Sequence, residues 1–241
     1  MTEDRIFAHT EAAAGSFEFN AEVAAVFADM LQRSIPGYAA TIQAIGTLAS
    51  RYVLPDTRCY DLGCSLGAAT LAMRRAVAVT GCRIIAVDNA PAMVTRCREM
   101  VAADDCAVDV TVVEDDVQNT EIAGASMVVM NYTLQFLPVG ARDTMIRKIR
   151  DGMVDGGVFV LSEKVVHEDA ATEELLVQMH HEFKRKNAYS SLEISRKRTA
   201  LEDVLLPESI AIHRARLGNA GFRHVGMWLK HFNFASMIAI R

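Results

Sequence analysis

No apolar run in this 241-residue chain reaches the length of a membrane span, and the charged start Met1-Thr2-Glu3-Asp4-Arg5 is followed by no apolar export segment. A soluble, cytoplasmic protein is expected. C-x-x-C spacing is also missing. The five cysteines (Cys59, Cys64, Cys82, Cys97, Cys106) are odd in number and fall mostly within predicted strands or helices, so reduced thiols are expected, four of them acting as small buried hydrophobes. Histidines lack ligand spacing: His9, His167, His213, His224 and His231 are scattered. His180 and His181, adjacent on a helical run, would point about 100° apart and serve one metal ion poorly. The pair reads as a solvated helix face, and no metal site is expected. A basic excess is lacking too. Lys and Arg number 25 against 30 acids, a net charge of −5, so the surface as a whole does not attract phosphate backbones and direct nucleic-acid binding is not expected. Repeats and low-complexity tracts are absent, and 51% hydrophobic with 23% charged residues fits one globular domain over 1–241.

What is present begins with Tyr60-Asp61-Leu62-Gly63-Cys64-Ser65-Leu66-Gly67 and continues with Arg83-Ile84-Ile85-Ala86-Val87-Asp88. An apolar strand, a glycine turn opening a helix, and an acid about twenty residues on suit an adenosyl cofactor: close backbone approach, then a carboxylate for a ribose diol. G-x-G-x-x-G is missing, which weakens a nicotinamide reading. Ser65 stands where the usual acid-x-Gly-x-Gly-x-Gly pattern of methyltransferases has its middle glycine.

Alternating strands and helices from Asp56 to about Glu163 predict a parallel sheet covered on both faces. Strands are expected at Arg58–Asp61, Arg83–Asp88, Asp109–Glu114, Ser126–Asn131 and Gly157–Ser162. Helices are expected at Ala68–Ala78, Ala90–Ala102 and Arg142–Met153, the last closed by Asp155-Gly156-Gly157. Val225–His231 and Ala235–Ile240 read as a closing antiparallel pair. The fold class expected is therefore α/β, a doubly wound, mostly parallel seven-stranded sheet of the Rossmann-like methyltransferase kind. Residues 17–52 form two helical patterns joined through Pro36-Gly37, suited to a lid, and 168–220 form a largely helical insertion. That insertion carries Lys184, Arg185, Lys186, Arg196, Lys197 and Arg198, a local positive patch that suggests an anionic substrate.

Within this frame Gly63 and Gly67 allow close approach of ligand and helix, and Asp88 can accept from both ribose hydroxyls. Asp116 is placed for the adenine amine, with the Val117 amide for a ring nitrogen, although Glu114 and Asp115 compete for that role. Asn131 ends the fourth strand at the reacting part of the ligand. Asn131-Tyr132-Thr133-Leu134 lacks the Pro-Pro-aromatic signature of amino-nitrogen methylation. Cys64 has no paired His or second Cys in sequence and reads as a spacer.

Ser34-Ile35-Pro36-Gly37-Tyr38, the turn through Asp61–Thr70, Leu192-Glu193-Ile194-Ser195 with Lys197-Arg198, and Phe232-Asn233-Phe234 together resemble the carboxy-S-adenosyl-L-methionine synthases of bacterial tRNA wobble-uridine modification. Ser65 is that family's own residue. The resemblance implies S-adenosyl-L-methionine and prephenate as substrates, and carboxy-S-adenosyl-L-methionine and phenylpyruvate as products. It implies further a separate transferase that passes the carboxymethyl group to tRNA, and a homodimer. It places the ligand on Tyr38, Gly63, Cys64, Ser65, Asp88, Asn89, Asp116, Val117, Asn131 and Arg198, with Arg198 as a planar cationic fork for the new carboxylate and Tyr38 as a second donor. A methyltransferase acting on a small anionic substrate, and a non-catalytic cofactor-binding partner of a tRNA enzyme, are the competing expectations.

Overall fold

Strands β1 (Arg58–Leu62), β2 (Arg83–Asp88), β3 (Asp109–Glu114), β4 (Ala125–Asn131) and β5 (Met153–Val166) run parallel, in the computed structural model that describes residues 2–8 and 17–241. His9 and Met1 lie outside the described residues. β6 (Glu208–Ser209) pairs with β5 off the main path, and β7 (His224–His231) and β8 (Phe234–Ile240) close the sheet antiparallel, in the order β3-β2-β1-β4-β5-β8-β7. The seven-stranded path is the expected one. β6 is an addition of two residues, too short to carry an alternating pattern.

Order reverses between β1 and β4, the switch point where doubly wound sheets open a crevice at the carboxyl ends of their strands. β4 at the centre is buried along both faces except at Asn131, as befits a parallel strand covered on each side. On one face α2 (Tyr38–Tyr52) and α3 (Ala68–Ala76) pack Ile45, Ala49 and Met73 against Met127, Val129 and Val160. Met145, Ile146 and Ile149 of α5 (Val139–Gly152) and Leu217 of α8 (Ile210–Asn219) cover the other face. Helix α4 (Pro91–Ala102) opens on Pro91 at its first turn, where the missing N–H costs nothing.

Three expectations change. α5 ends at Gly152 and β5 starts at once, so Asp155-Gly156-Gly157 does not turn the chain. Gly156, at φ +78°, sits in a bulge that shifts the register from Ala125 opposite Met153 to Met127 opposite Val158. The expected lid divides: α2 is a layer of the core, whereas α1 (Ala21–Ser34) packs Val23, Phe27 and Met30 on Ala90 and Met93, above the strand ends. His180 on α6 (Ala170–Lys186) is no solvated residue. It is buried, with Nε2 2.8 Å from the Ser34 carbonyl oxygen and its ring edge-on to Phe234. Helix α7 (Ser191–Leu201), opened by a Ser190/Glu193 capping box, reaches the same point, where Lys197 Nζ donates to Ser34 Oγ at 3.0 Å. The end of α1 is thus gripped from both α6 and α7.

Candidate functional site

The glycine turn after β1 is shaped by its backbone. N–H groups of Gly63 and Cys64 both donate to the Val87 carbonyl, at 2.8 and 2.9 Å, which ties the turn to β2. Gly63 has φ +82°, and a Cβ there would run into the Thr133 side chain, so no other residue fits. Ser65 holds φ +51° without being glycine, and its N–H donates to Asp88 Oδ2 at 2.8 Å. Ala90 N–H donates to Asp88 Oδ1 at 3.0 Å, so both carboxylate oxygens are aimed by backbone and keep lone pairs for a ligand.

These groups edge a cavity of about 510 Å³ at the carboxyl ends of the strands, a size in the usual range for ligand sites. It gathers nine of the ten anticipated residues: Tyr38, Gly63, Cys64, Ser65, Asp88, Asn89, Asp116, Val117 and Asn131. Of the three acids Glu114, Asp115 and Asp116, Asp116 is the one on the cavity wall. Arg198 is not on that wall. It is exposed on α7, one residue past Lys197, which faces inward. Consecutive helical residues diverge by about 100°, and on α7 it is Lys197 that takes the inward direction.

Burial raises the Asp88 carboxyl above its ordinary range against the pull of the Ala90, Ser65 and Asn89 N–H groups. Asp61, on β1 and fully buried, is pushed up to about 6, chiefly by burial, although the Thr70 hydroxyl donates to it at 2.6 Å; the nearby Asp88 adds to the rise. A cationic ligand would reverse both shifts. Tyr38 is held protonated by burial and by Asp61. Cys64 faces Cys97 at 3.9 Å, and that contact with burial raises its thiol, which fits a packing role. Asn131 Oδ1 is buried with no hydrogen-bond partner among the described residues, an acceptor turned to the cavity wall that a ligand N–H would satisfy.

Sequence reasoning missed Asp61 as a wall residue and Lys164 altogether. Asp61 carried a signal, since it ends an apolar strand beside the glycine turn. Lys164 lies two residues past the predicted end of the fifth strand and offered no pattern. The six-cation run is divided by helical phase. Lys184 and Lys197 are buried in the cavity wall, while Arg185, Lys186 and Arg198 are exposed and Arg196 donates to the Phe7 carbonyl at 3.0 Å. No helix among the described residues is long and apolar enough to cross a membrane, and none of their His, Cys, Asp and Glu side chains cluster in threes for a metal ion.

A doubly wound sheet with acids at the ends of successive strands and a glycine turn between them defines the Rossmann-like S-adenosylmethionine-binding class. The methyltransferase-domain family pattern matches residues 60–157. Two solved structures share the fold: human N-acetylserotonin methyltransferase in complex with S-adenosylmethionine (15% identity, TM-score 0.63) and an O-methyltransferase family protein from Burkholderia thailandensis (14%, 0.65). They cover 92% and 98% of this chain, which spans 55% and 61% of theirs. Carboxy-S-adenosyl-L-methionine synthases match far more closely, with 50% identity for the Klebsiella pneumoniae protein (99% of this chain, 96% of that one) and 51% for the Escherichia coli K12 protein (99% and 96%). The chain belongs to the carboxy-S-adenosyl-L-methionine synthase family and is an enzyme of the transferase class.

Replacing Gly63 with alanine is expected to cost about 1–3 kcal/mol of stability through the positive φ and the Thr133 overlap. Affinity for S-adenosylmethionine should fall at least about tenfold, a loss of about 1.4 kcal/mol. Thermal melts with calorimetric titration check both, and unchanged values in each would remove the turn from the site.

Proposed function

We propose that the chain makes carboxy-S-adenosyl-L-methionine from S-adenosyl-L-methionine and prephenate, releasing phenylpyruvate. The observation that carries this reading is the charge layout of the cavity. Asp61, Asp88 and Asp116 line its β1–β3 side, and Lys164, Lys184 and Lys197 line its β5 side. The acidic side suits a ligand with sulfonium and ammonium groups; the basic side suits an anion. Asp88 would hold the ribose hydroxyls, Asp116 and the Val117 N–H the adenine, and Asn131 with the Gly63–Ser65 turn the amino-acid part. Asn89 would border the ribose, and Tyr38 would donate to the reacting end.

The two substrates supply the chemistry: prephenate loses carbon dioxide and hydroxide on aromatising, hydroxide removes a sulfonium-methyl proton as water, and the methyl carbon bonds to the carbon dioxide. Side chains then have positioning, exclusion of water and charge stabilisation to provide, and none has to act as the base. Helix α1 covers the strand ends and would serve as the lid. Arg198, exposed in the structure, is assigned to the carboxylate of the product, which it would meet by turning inward from α7. The fuller reading has a cytoplasmic homodimer whose product feeds a separate tRNA carboxymethyltransferase, with no contact between this chain and RNA or membrane.

The purified protein with both substrates should form phenylpyruvate and a nucleoside heavier than S-adenosylmethionine by one carbon dioxide. Demethylated cofactor alone would mark a methyltransferase acting on a small anion. Cofactor binding without prephenate consumption would mark a non-catalytic partner protein.

A further inference from the structure

We propose that Lys164 and Lys184, with Lys197 behind them, form a subsite for the two carboxylates of a dianionic second substrate. The proposal rests on the two-substrate reading above and assigns residues to it. Three lysines reach one cavity from three elements, β5, α6 and α7. Lys184 and Lys197 are only 9% and 6% exposed. A structural lysine that deep is ordinarily paired with an acid or runs its ammonium group out to water.

Lys197 follows that rule, donating to Ser34 Oγ and lying 3.8 Å from Asp4 Oδ2. Lys164 and Lys184 have no such acid, and their ammonium groups open into the cavity instead. Among the described residues neither ammonium group has an acceptor in hydrogen-bond reach or a carboxylate at ion-pair distance; Glu173 attracts Lys164 only from farther away. With Lys197 offset by Asp4, two lysines without a paired acid remain in one cavity, and a bound dicarboxylate would hold both in the charged form. Burial first, then repulsion from Lys197 and Lys164, holds Lys184 down to about 7. Burial and the Arg198 charge likewise lower Lys164, against the pull of Glu173. Keeping such groups inside weakens the empty protein, and a bound dianion removes that cost.

Position agrees with chemistry. Asp61 on β1 and Lys164 on β5 are separated by two strand intervals across the sheet and, through the pairings Asp61–Val129 and Val129–Val160, by four residues along it, roughly 16 Å between backbones. Cation and dianion would therefore lie side by side, with the reacting methyl between them. Tyr132 and Phe234, edge-on at 5.9 Å, give the same region an apolar wall for the body of the substrate.

The test uses Lys184→Met and Lys164→Met, which keep the length and packing of the stem while removing charge. Each should raise the KM for prephenate at least tenfold and leave the calorimetric Kd for S-adenosylmethionine within twofold of wild type. Prephenate titrated into protein saturated with S-adenosylhomocysteine should show the same loss, and Lys184→Arg should recover binding to within threefold. Prephenate affinity within twofold of wild type in both methionine variants overturns the subsite. Failure of the two-substrate reading looks different: wild type then neither binds prephenate nor forms phenylpyruvate. In that case malonate serves as the probe. Malonate binding that Lys184→Met abolishes still supports the subsite, and absence of malonate binding to wild type overturns it.

Discussion

Asp88→Ala is expected to weaken S-adenosylmethionine binding by roughly 10²–10⁴-fold. The estimate follows from two hydrogen bonds to a charged acceptor at about 1.5–3 kcal/mol each, with every 1.4 kcal/mol a factor of ten. Asp88 also accepts the N–H groups of Ser65 and Ala90, so alanine would loosen the turn as well as remove the ribose contact. Asp88→Asn separates the two effects. It keeps one oxygen for a backbone N–H but presents an amide where a second acceptor is needed. An intermediate loss, about 10–100-fold, is therefore expected with a melting temperature nearer wild type. Equilibrium titration of both variants decides the matter; affinities within threefold of wild type would take Asp88 out of the cofactor site.

The second large effect concerns a residue that touches no ligand. Arg142 on α5 is fully buried, with Nε donating to the Leu137 carbonyl at 3.1 Å, Nη2 to the Gln135 carbonyl at 3.1 Å and Nη1 to Glu208 Oε2 at 2.6 Å. From the other side Glu163 accepts the N–H groups of Leu134 and Gln135 at 3.0 and 2.9 Å. The short 3-10 turn Leu134–Phe136, part of the cavity wall, is suspended between these two side chains. Arg142→Met should destabilise the fold by about 3–5 kcal/mol, since it removes the donor to the buried Leu137 carbonyl, one of two donors to the Gln135 carbonyl, and one arm of a buried ion pair. For a domain of this size that lowers the melting temperature by roughly 6–20 °C. Lysine should not rescue, because one ammonium cannot span three acceptors set in a planar fork. Calorimetric melting of both variants is the check, and a loss below about 1 kcal/mol would mean the turn is held by other contacts.

Glu163 shows why such a residue escapes a reading of the chain. In sequence it follows an apolar strand and resembles any exposed acid at a strand end. In the fold it is buried and pushed up to about 8, mainly by burial, with Arg142 and two backbone N–H groups opposing. Its partners lie about thirty positions away or come from another helix, and no local periodicity encodes them.

The sequence alone determined the parallel α/β core, the glycine turn and the acid that ends the second strand, because each is a local matter. Strand alternation has a period of two, a left-handed turn selects glycine, and a carboxylate ends the strand that delivers it. Tertiary structure decided everything that depends on which face of an element meets which neighbour. Helical phase sent Lys184 and Lys197 inward and Arg198 outward, chain direction after β3 chose Asp116 over Glu114 and Asp115, and the docking of α6 on α1 buried His180. Adjacent side chains on a helix differ by about 100°, so a cluster of like charges in sequence carries no direction until packing supplies one.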